Sequence, residues 1–460
     1  MTVQIRITGD EYAGHQLIPR AKAELETLAI HMGFNSLMQD TREVNFANGV
    51  RILCRIVGRL RFAEIIVPPA AAAEFLPELP PLKETALNDI YAATRGHHTE
   101  GADYLGPGYI HRARNLSWSL WGQIPDMPEV ADIAIFKGVF YAIAVSTPHP
   151  FYGSTSAGIY KSPDGGQTWQ KVFDLTANHY EPFLVERHRG RMAVLGDSLY
   201  VITNKGIWDE GESEWTHRWA EIYKSSDGSN WTLFCAFEDG YEDAGHHKNN
   251  VLGDMAATES HLYVSIHWNT DPDDNELVYG KVYRISPAGG MTDVTLNWPW
   301  SNAQVMHLHV SDAGRVYAAG RSFYWPDTEP YGIATMFWMV LVNDTWFYLH
   351  HGGAACEAMA TFKNQVYYLR HTDSKAYNPY NGDFRSLAFD FGGDIPVSAV
   401  GTDEALVIIA TYPRAIFLCR DEHTVFFQQE LQEPGPGITG WPTRLIYVPD
   451  AASMMEASNE

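Results

Sequence analysis

Basic side chains are scarce in this sequence: its 460 residues hold 33 Lys and Arg against 56 Asp and Glu, a formal charge of −23. A broad phosphate-binding surface would meet strong repulsion on such a chain, so nucleic acid is excluded as an expected partner. Cysteine is scarcer still. Cys54, Cys235, Cys356 and Cys419 stand far apart with no CxxC pair, which argues against a disulfide framework and a cysteine-based zinc site and predicts buried thiols. No apolar run reaches the ~18 residues that a membrane helix needs, and the opening MTVQIRITGDEYAGHQ has no basic stretch leading into an apolar one. Neither a membrane span nor Sec export is expected.

What the chain has in quantity is aromatic side chains, with 14 Trp, 24 Tyr and 21 Phe. That loading favours a folded, β-rich protein, and the length predicts one large domain plus a small one. Residues 1–67 carry eight basic and seven acidic side chains, so the excess acid belongs to the later part. Within 1–67, VQIRIT (3–8) alternates as a strand does, and 19–32 has apolar residues at helical spacing closed by Gly33. Three β-rich runs then follow, broken at Asn48-Gly49 and Gly58. The sum is a small βαβββ (α+β) unit. Five prolines in residues 67–82 exclude a sheet interior and predict a semi-rigid spacer. A short helix over 83–95 and an irregular lead-in over 96–129 complete the linker region 68–129. Residues 130–450 form the second domain and 451–460 a tail.

From about residue 130 one pattern recurs, and repetition is the main signal of the fold. Its second strands align as VFYAIAV (139–145), SLYVIT (198–203), HLYVSI (261–266), RVYAAG (315–320), QVYYLR (365–370) and ALVIIA (405–410). No helical period lies between them, which fits radial four-stranded blades rather than a parallel α/β fold. Six copies predict a mainly β chain with a propeller of about six blades. A seventh is allowed if NLSWSLWG (115–122) or GWPTRLIYVPD (440–450) closes the ring.

Two third strands lead into polar turns, GIYKSPDGGQTW (158–169) and EIYKSSDGSNW (221–231). The first places Ser162, Asp164, Gly166, Thr168 and Trp169 in the order Ser-x-Asp-x-Gly-x-Thr-Trp, and the second places Ser225, Asp227, Gly228 and Trp231 one residue more tightly. Both resemble the Asp-box, or BNR repeat, of sialidase-like β-propellers. KVYRISPAGG (281–290) resembles a decayed copy with Ala288 where the Asp would stand. Such an Asp accepts hydrogen bonds from its own turn, Gly permits positive φ, and Trp covers the blade. These residues are therefore expected to be structural, as the resemblance also implies.

Sialidases of this type carry a Phe/Tyr-Arg-Ile-Pro segment and an arginine triad. No such tetrapeptide occurs here, and Arg112, Arg114, Arg187, Arg189, Arg191 and Arg321 match no triad spacing. Catalytic residues are not assigned. The candidates for ligand contact are His246, His247, His307 and His309, placed at predicted innermost strands, and Trp268, Trp298, Trp300 and Trp325, placed in loops beside carboxylates and amides. His307 and His309, two apart, should point the same way from a strand. Asp271, Asp273, Asp274 and Asn275 offer oxygen ligands for Ca²⁺ but lack the glycine of an EF-hand loop, and no cofactor is expected.

A small anchoring unit, a stiff spacer and an Asp-box propeller resemble, in layout, the attachment or tail proteins of phage virions. This implies a non-catalytic structural or adhesive protein, located in a virion or the cytoplasm. It would form homo-oligomers or join an assembly through its first part, with a glycan or neighbouring protein on the propeller loops. A chain beginning at 116 should then be a monomeric propeller. A sialidase-like glycoside hydrolase and an intracellular assembly factor are the alternatives.

Overall fold

In the computed structural model the chain divides into two compact units, Met1–Ala86 and Leu87–Glu460. The structure describes residues 3–9, 39–45, 51–57, 60–67, 89–95, 97–98, 104–105, 107–114, 116–146, 156–176, 190–209, 214–237, 250–268, 279–295, 303–311, 313–324, 333–342, 344–351, 356–370, 374–379, 382–387, 389, 391, 394–402, 404–411, 415–420, 425–431 and 442–448. Among these residues there is no helix, hence none that could span a membrane.

In the first unit the β-rich runs form Gln39–Asn45, Arg51–Val57 and Leu60–Val67, an antiparallel meander. Val3–Gly9 pairs parallel with the last of them, at the edge of the four-stranded sheet. The helix expected over 19–32 lies outside the described residues.

The second unit is a seven-bladed β-propeller. Six blades are consecutive four-stranded antiparallel sheets whose innermost strands are Glu129–Phe136, Gly190–Leu195, Asn250–Ala257, Ala303–Val310, Ala358–Phe362 and Pro396–Gly401. These are blades 2 to 7. Blade 1 is composite: Pro442–Val448 from the far end of the chain is innermost, followed by Asp89–Thr94, Gly108–Arg114 and Ser117–Ile124. Successive innermost strands touch one another right round the ring. Two segments thus differ from expectation. Residues 89–94 form a strand where a short helix is predicted, and 108–114 form a blade strand inside the predicted irregular lead-in, while the strands expected within 115–122 and 440–450 both join the closing blade. The reason is tertiary. Asp89–Thr94 finds its innermost partner some 350 residues downstream, so nothing local announces it.

Each blade buries both faces, and alternation sends successive side chains to opposite neighbours. In Asp89–Thr94, Ile90 and Ala92 pack on Val407 and Ile409 of blade 7, while Tyr91 and Ala93 pack on Phe140 and Ala142 of blade 2. Second strands are accordingly buried throughout, whereas outermost strands such as Gln170–Asp174 and Phe426–Glu430 are exposed. The recurring tyrosine of the second strand explains itself here. Tyr91, Tyr141, Tyr200, Tyr263, Tyr317 and Tyr367 are all buried, each against the following blade. Cys356 and Cys419 are buried thiols and Cys235 is half-buried, and none of these three is in a disulfide.

Candidate functional site

The two polar turns that lead from third to fourth strands, at 162–169 and 225–231, are closed hydrogen-bond systems. Asp164 Oδ1 accepts the Gln167 and Thr168 amides at 3.1 and 2.8 Å, and Oδ2 accepts the Thr168 hydroxyl at 2.6 Å. Ser162 Oγ receives the Gly166 amide at 2.7 Å and donates to Asp164 at 2.8 Å. The Trp169 indole donates to Gly166 O at 3.0 Å. In the second copy Asp227 Oδ1 accepts the Ser229 and Asn230 amides, both at 2.8 Å, and the Asn230 side chain takes the place of the threonine. Partial burial acts to raise the Asp164 pKa, but its hydrogen bonds to Thr168, Ser162 and Gln167 outweigh that and hold it below the usual range. Asp227 lies lower for the same hydrogen-bonding reason. Gly228, at φ +71°, has no room for a side chain, because a Cβ would stand 1.8 Å from the Tyr141 hydroxyl of blade 2. Trp231 is buried in the core shared by blades 2 and 3. The decayed copy keeps one element, the Gly290 amide on Ser286 Oγ at 3.0 Å.

The centre of the propeller is built differently. One position of the innermost strand, two residues before the one paired with the recurring tyrosine (or Val407), is occupied round the ring by Arg444, Asp132, Arg191, Asp254, His307, Ala358 and Ser398. In five blades a β-bulge lies just before it, a device that re-aims a side chain. The result is a set of bonds that links five of the seven successive blade pairs. Asp132 Oδ2 accepts the Met192 amide at 2.8 Å, Asp254 Oδ2 the Leu308 amide at 2.9 Å, and Ser398 Oγ the Leu445 amide at 3.0 Å. Two ion pairs run in the same sense, Arg444 Nε to Asp132 at 3.2 Å and Arg191 Nε to Asp254 at 2.9 Å. Each carboxylate also caps the amide that follows it, Ile133 or Met255.

Above this ring, towards the turns that join first to second strands, lies a cavity of about 420 Å³ walled by Ala193, Ala256, Ala360, Val400, His309 and Thr361. His309 Nε2 meets Thr361 Oγ1 at 2.6 Å. Burial pushes the His309 pKa down to about 4, Arg444 across the lumen adds to that, and Asp254 opposes it. A histidine whose folded pKa is depressed binds its proton more readily in the unfolded chain, so stability is lost as pH falls from about 6.5 towards 4. A thermal melt series over that interval is expected to show a falling Tm, and His309→Gln to remove part of the fall.

His307 and His309 both line this cavity. The side chains of Trp268, His246, His247, Trp298, Trp300 and Trp325, and the acidic residues 271–275, lie outside the described residues. The strand ends that flank them are informative. Trp268 ends a second strand, Trp325 follows one, and the histidine pair and the two remaining tryptophans precede the innermost strands that begin at Asn250 and Ala303. In antiparallel blades these ends share one face, opposite the Asp-box turns. Two of the arginines weighed from sequence, Arg112 and Arg114, are bonded to the buried Asp89, and Arg112 stacks on Trp121 at 4.2 Å. Among the described residues no cluster of three His, Cys, Asp or Glu is placed to hold a metal ion. Sequence reading missed Asp132, Asp254, Ser398 and Arg444, whose common position shows only once the strands are paired.

The fold therefore defines the chain as a seven-bladed β-propeller joined to a small sheet-bearing unit. No family model and no curated protein matches it. Similar solved structures include a nidogen/laminin complex, at 11% identity and TM-score 0.38 over 78% of this chain and 98% of that one. Apo AztD from Citrobacter koseri is similar at 10% identity and TM-score 0.41, over 79% and 98%. A Mycobacterium tuberculosis puromycin-hydrolyzing peptidase is similar at 14% identity and TM-score 0.44, over 78% of this chain and 54% of that one. The assignment of the fold rests on the strand pairing itself.

Proposed function

We propose that the chain is a non-catalytic binding protein, in which the propeller offers its loop-bearing face to a partner and Met1–Ala86 carries it into a larger assembly. One observation carries this reading. The two carboxylates at the centre of the ring, Asp132 and Asp254, have both oxygens committed to arginine and backbone amides of neighbouring blades. Glycoside hydrolysis needs a pair of carboxyl groups whose protons or lone pairs are available to the sugar, and these two serve the closure of the ring instead. The Asp-box carboxylates are committed in the same way to their own turns.

In its finer form the reading is a virion or phage-tail component, with the tryptophan-bearing connections meeting a host glycan or a neighbouring subunit. The layout of a small unit, a proline-rich stretch and a propeller supports it, and so does the placing on one face of the strand ends that flank those connections. The test uses the full chain against a broad panel of chromogenic glycosides and, in parallel, an immobilised glycan array. No turnover above the buffer rate is expected, with saturable retention on at least one glycan or on a copurified virion subunit. Sustained turnover of any glycoside overturns the reading.

A further inference from the structure

The central lumen, towards the turns that join first to second strands, carries an inference of its own, independent of what the opposite strand ends bind. Its charged groups are unequal in what they have left to offer. Asp132 and Asp254 are saturated and buried, and Arg191, with 4% of its side chain exposed, is enclosed. Arg444 differs: its Nε faces Asp132, while 35% of its side chain is exposed and it lines the cavity. A guanidinium has two further nitrogens on its outer edge, and that edge is the part which grips a carboxylate through two parallel bonds. The lumen thus presents a cation whose counter-charge is already engaged behind it.

The remaining polar groups suit the same ligand. Ser398 Oγ accepts the Leu445 amide and keeps its own proton to donate. The Thr361 hydroxyl and the neutral His309 imidazole, bonded to each other, stand further up the wall. Small apolar side chains, Ala193, Ala256, Ala360 and Val400, make up part of the wall, and His307 lines it as well. A cavity of about 420 Å³ with convergent polar groups is the size of a small-molecule site. A cation would find no open carboxylate in it.

We propose that this lumen binds a small organic carboxylate, anchored by the outer edge of Arg444, with Ser398 as a further donor and Thr361 as another when His309 Nε2–H donates to the Thr361 oxygen. The test is a titration of the full chain with succinate, followed by calorimetry and by the imidazole NMR signal of His309, with tetramethylammonium as the cation control. Saturable succinate binding that shifts the His309 signal is expected. Arg444→Gln should weaken it roughly tenfold or more, as loss of a charged hydrogen-bonding partner implies, with Arg444→Lys in between. Asp132 keeps its two amide donors in these variants. Should Arg444→Gln fail to fold, Thr361→Val supplies the test through a several-fold loss of affinity. Absence of saturable binding, binding unchanged in Arg444→Gln or, where that variant fails, in Thr361→Val, or binding of inorganic phosphate without any carboxylate would each overturn the proposal.

Discussion

A chain that begins at residue 116 will fail to form the propeller, while one that begins at Leu87 will fold. The first cut removes Asp89–Thr94 and Gly108–Arg114, leaving Pro442–Val448 and Ser117–Ile124 without the two strands that join them. Ile90, Tyr91, Tyr109 and Ile110 are all buried. At ~1.5–3 kcal/mol for each large apolar side chain, their loss amounts to roughly 6–12 kcal/mol. That is comparable with the whole stability of a domain, about 5–15 kcal/mol. The loss also strips both neighbours, since Phe140 of blade 2 and Val407 and Ile409 of blade 7 would face water. Circular dichroism and a thermal melt of the two chains check this: a cooperative transition is expected from Leu87 onward and none from residue 116. The truncation point at 115 chosen from sequence thus cuts through a blade, whereas the two compact units divide between Ala86 and Leu87.

Asp254→Ala is the single substitution expected to do most damage. It removes the partner of Arg191, whose side chain is 4% exposed, and leaves the Leu308 and Met255 amides without their acceptor. Breaking a buried ion pair from one side costs about 3–5 kcal/mol, because the surviving charge stays desolvated. Asp254→Asn should cost less, since an amide oxygen still accepts from one backbone donor while the charge for Arg191 is lost. Chemical denaturation of the three proteins should rank them wild type, Asn, Ala. The Arg191→Met, Asp254→Leu double variant should recover much of the loss, as an apolar replacement of both partners removes the stranded charge.

Much of this fold is legible in the sequence because blades repeat. The tyrosine of the second strand recurs for a packing reason, and the two polar turns at 162–169 and 225–231 join third to fourth strands where the structure has them. The seventh blade was legible in part: both segments named as able to close the ring, 115–122 and 440–450, supply strands of it, while the two strands between them were not read. The signal of the first was nevertheless present: DIYAAT (89–94) has the same Tyr-Ala pattern as VFYAIAV, with Tyr91 aligned to Tyr141. The central ring was not legible. Arg, Asp, His, Ala and Ser share no chemistry that would align them, and the bulges before five of them shift the alternation by one residue. His307 and His309 kept their period because the bulge between Val305 and His307 precedes them both.

The proposal that Met1–Ala86 anchors the propeller in an assembly is tested most directly by solution mass. Light scattering would be run on the full chain beside one spanning Leu87–Glu460, the unit whose ring of blades is closed without any earlier residue. The account predicts an oligomer for the full chain and a monomer for the shorter one. Two monomers, or two assemblies of the same order, would contradict it.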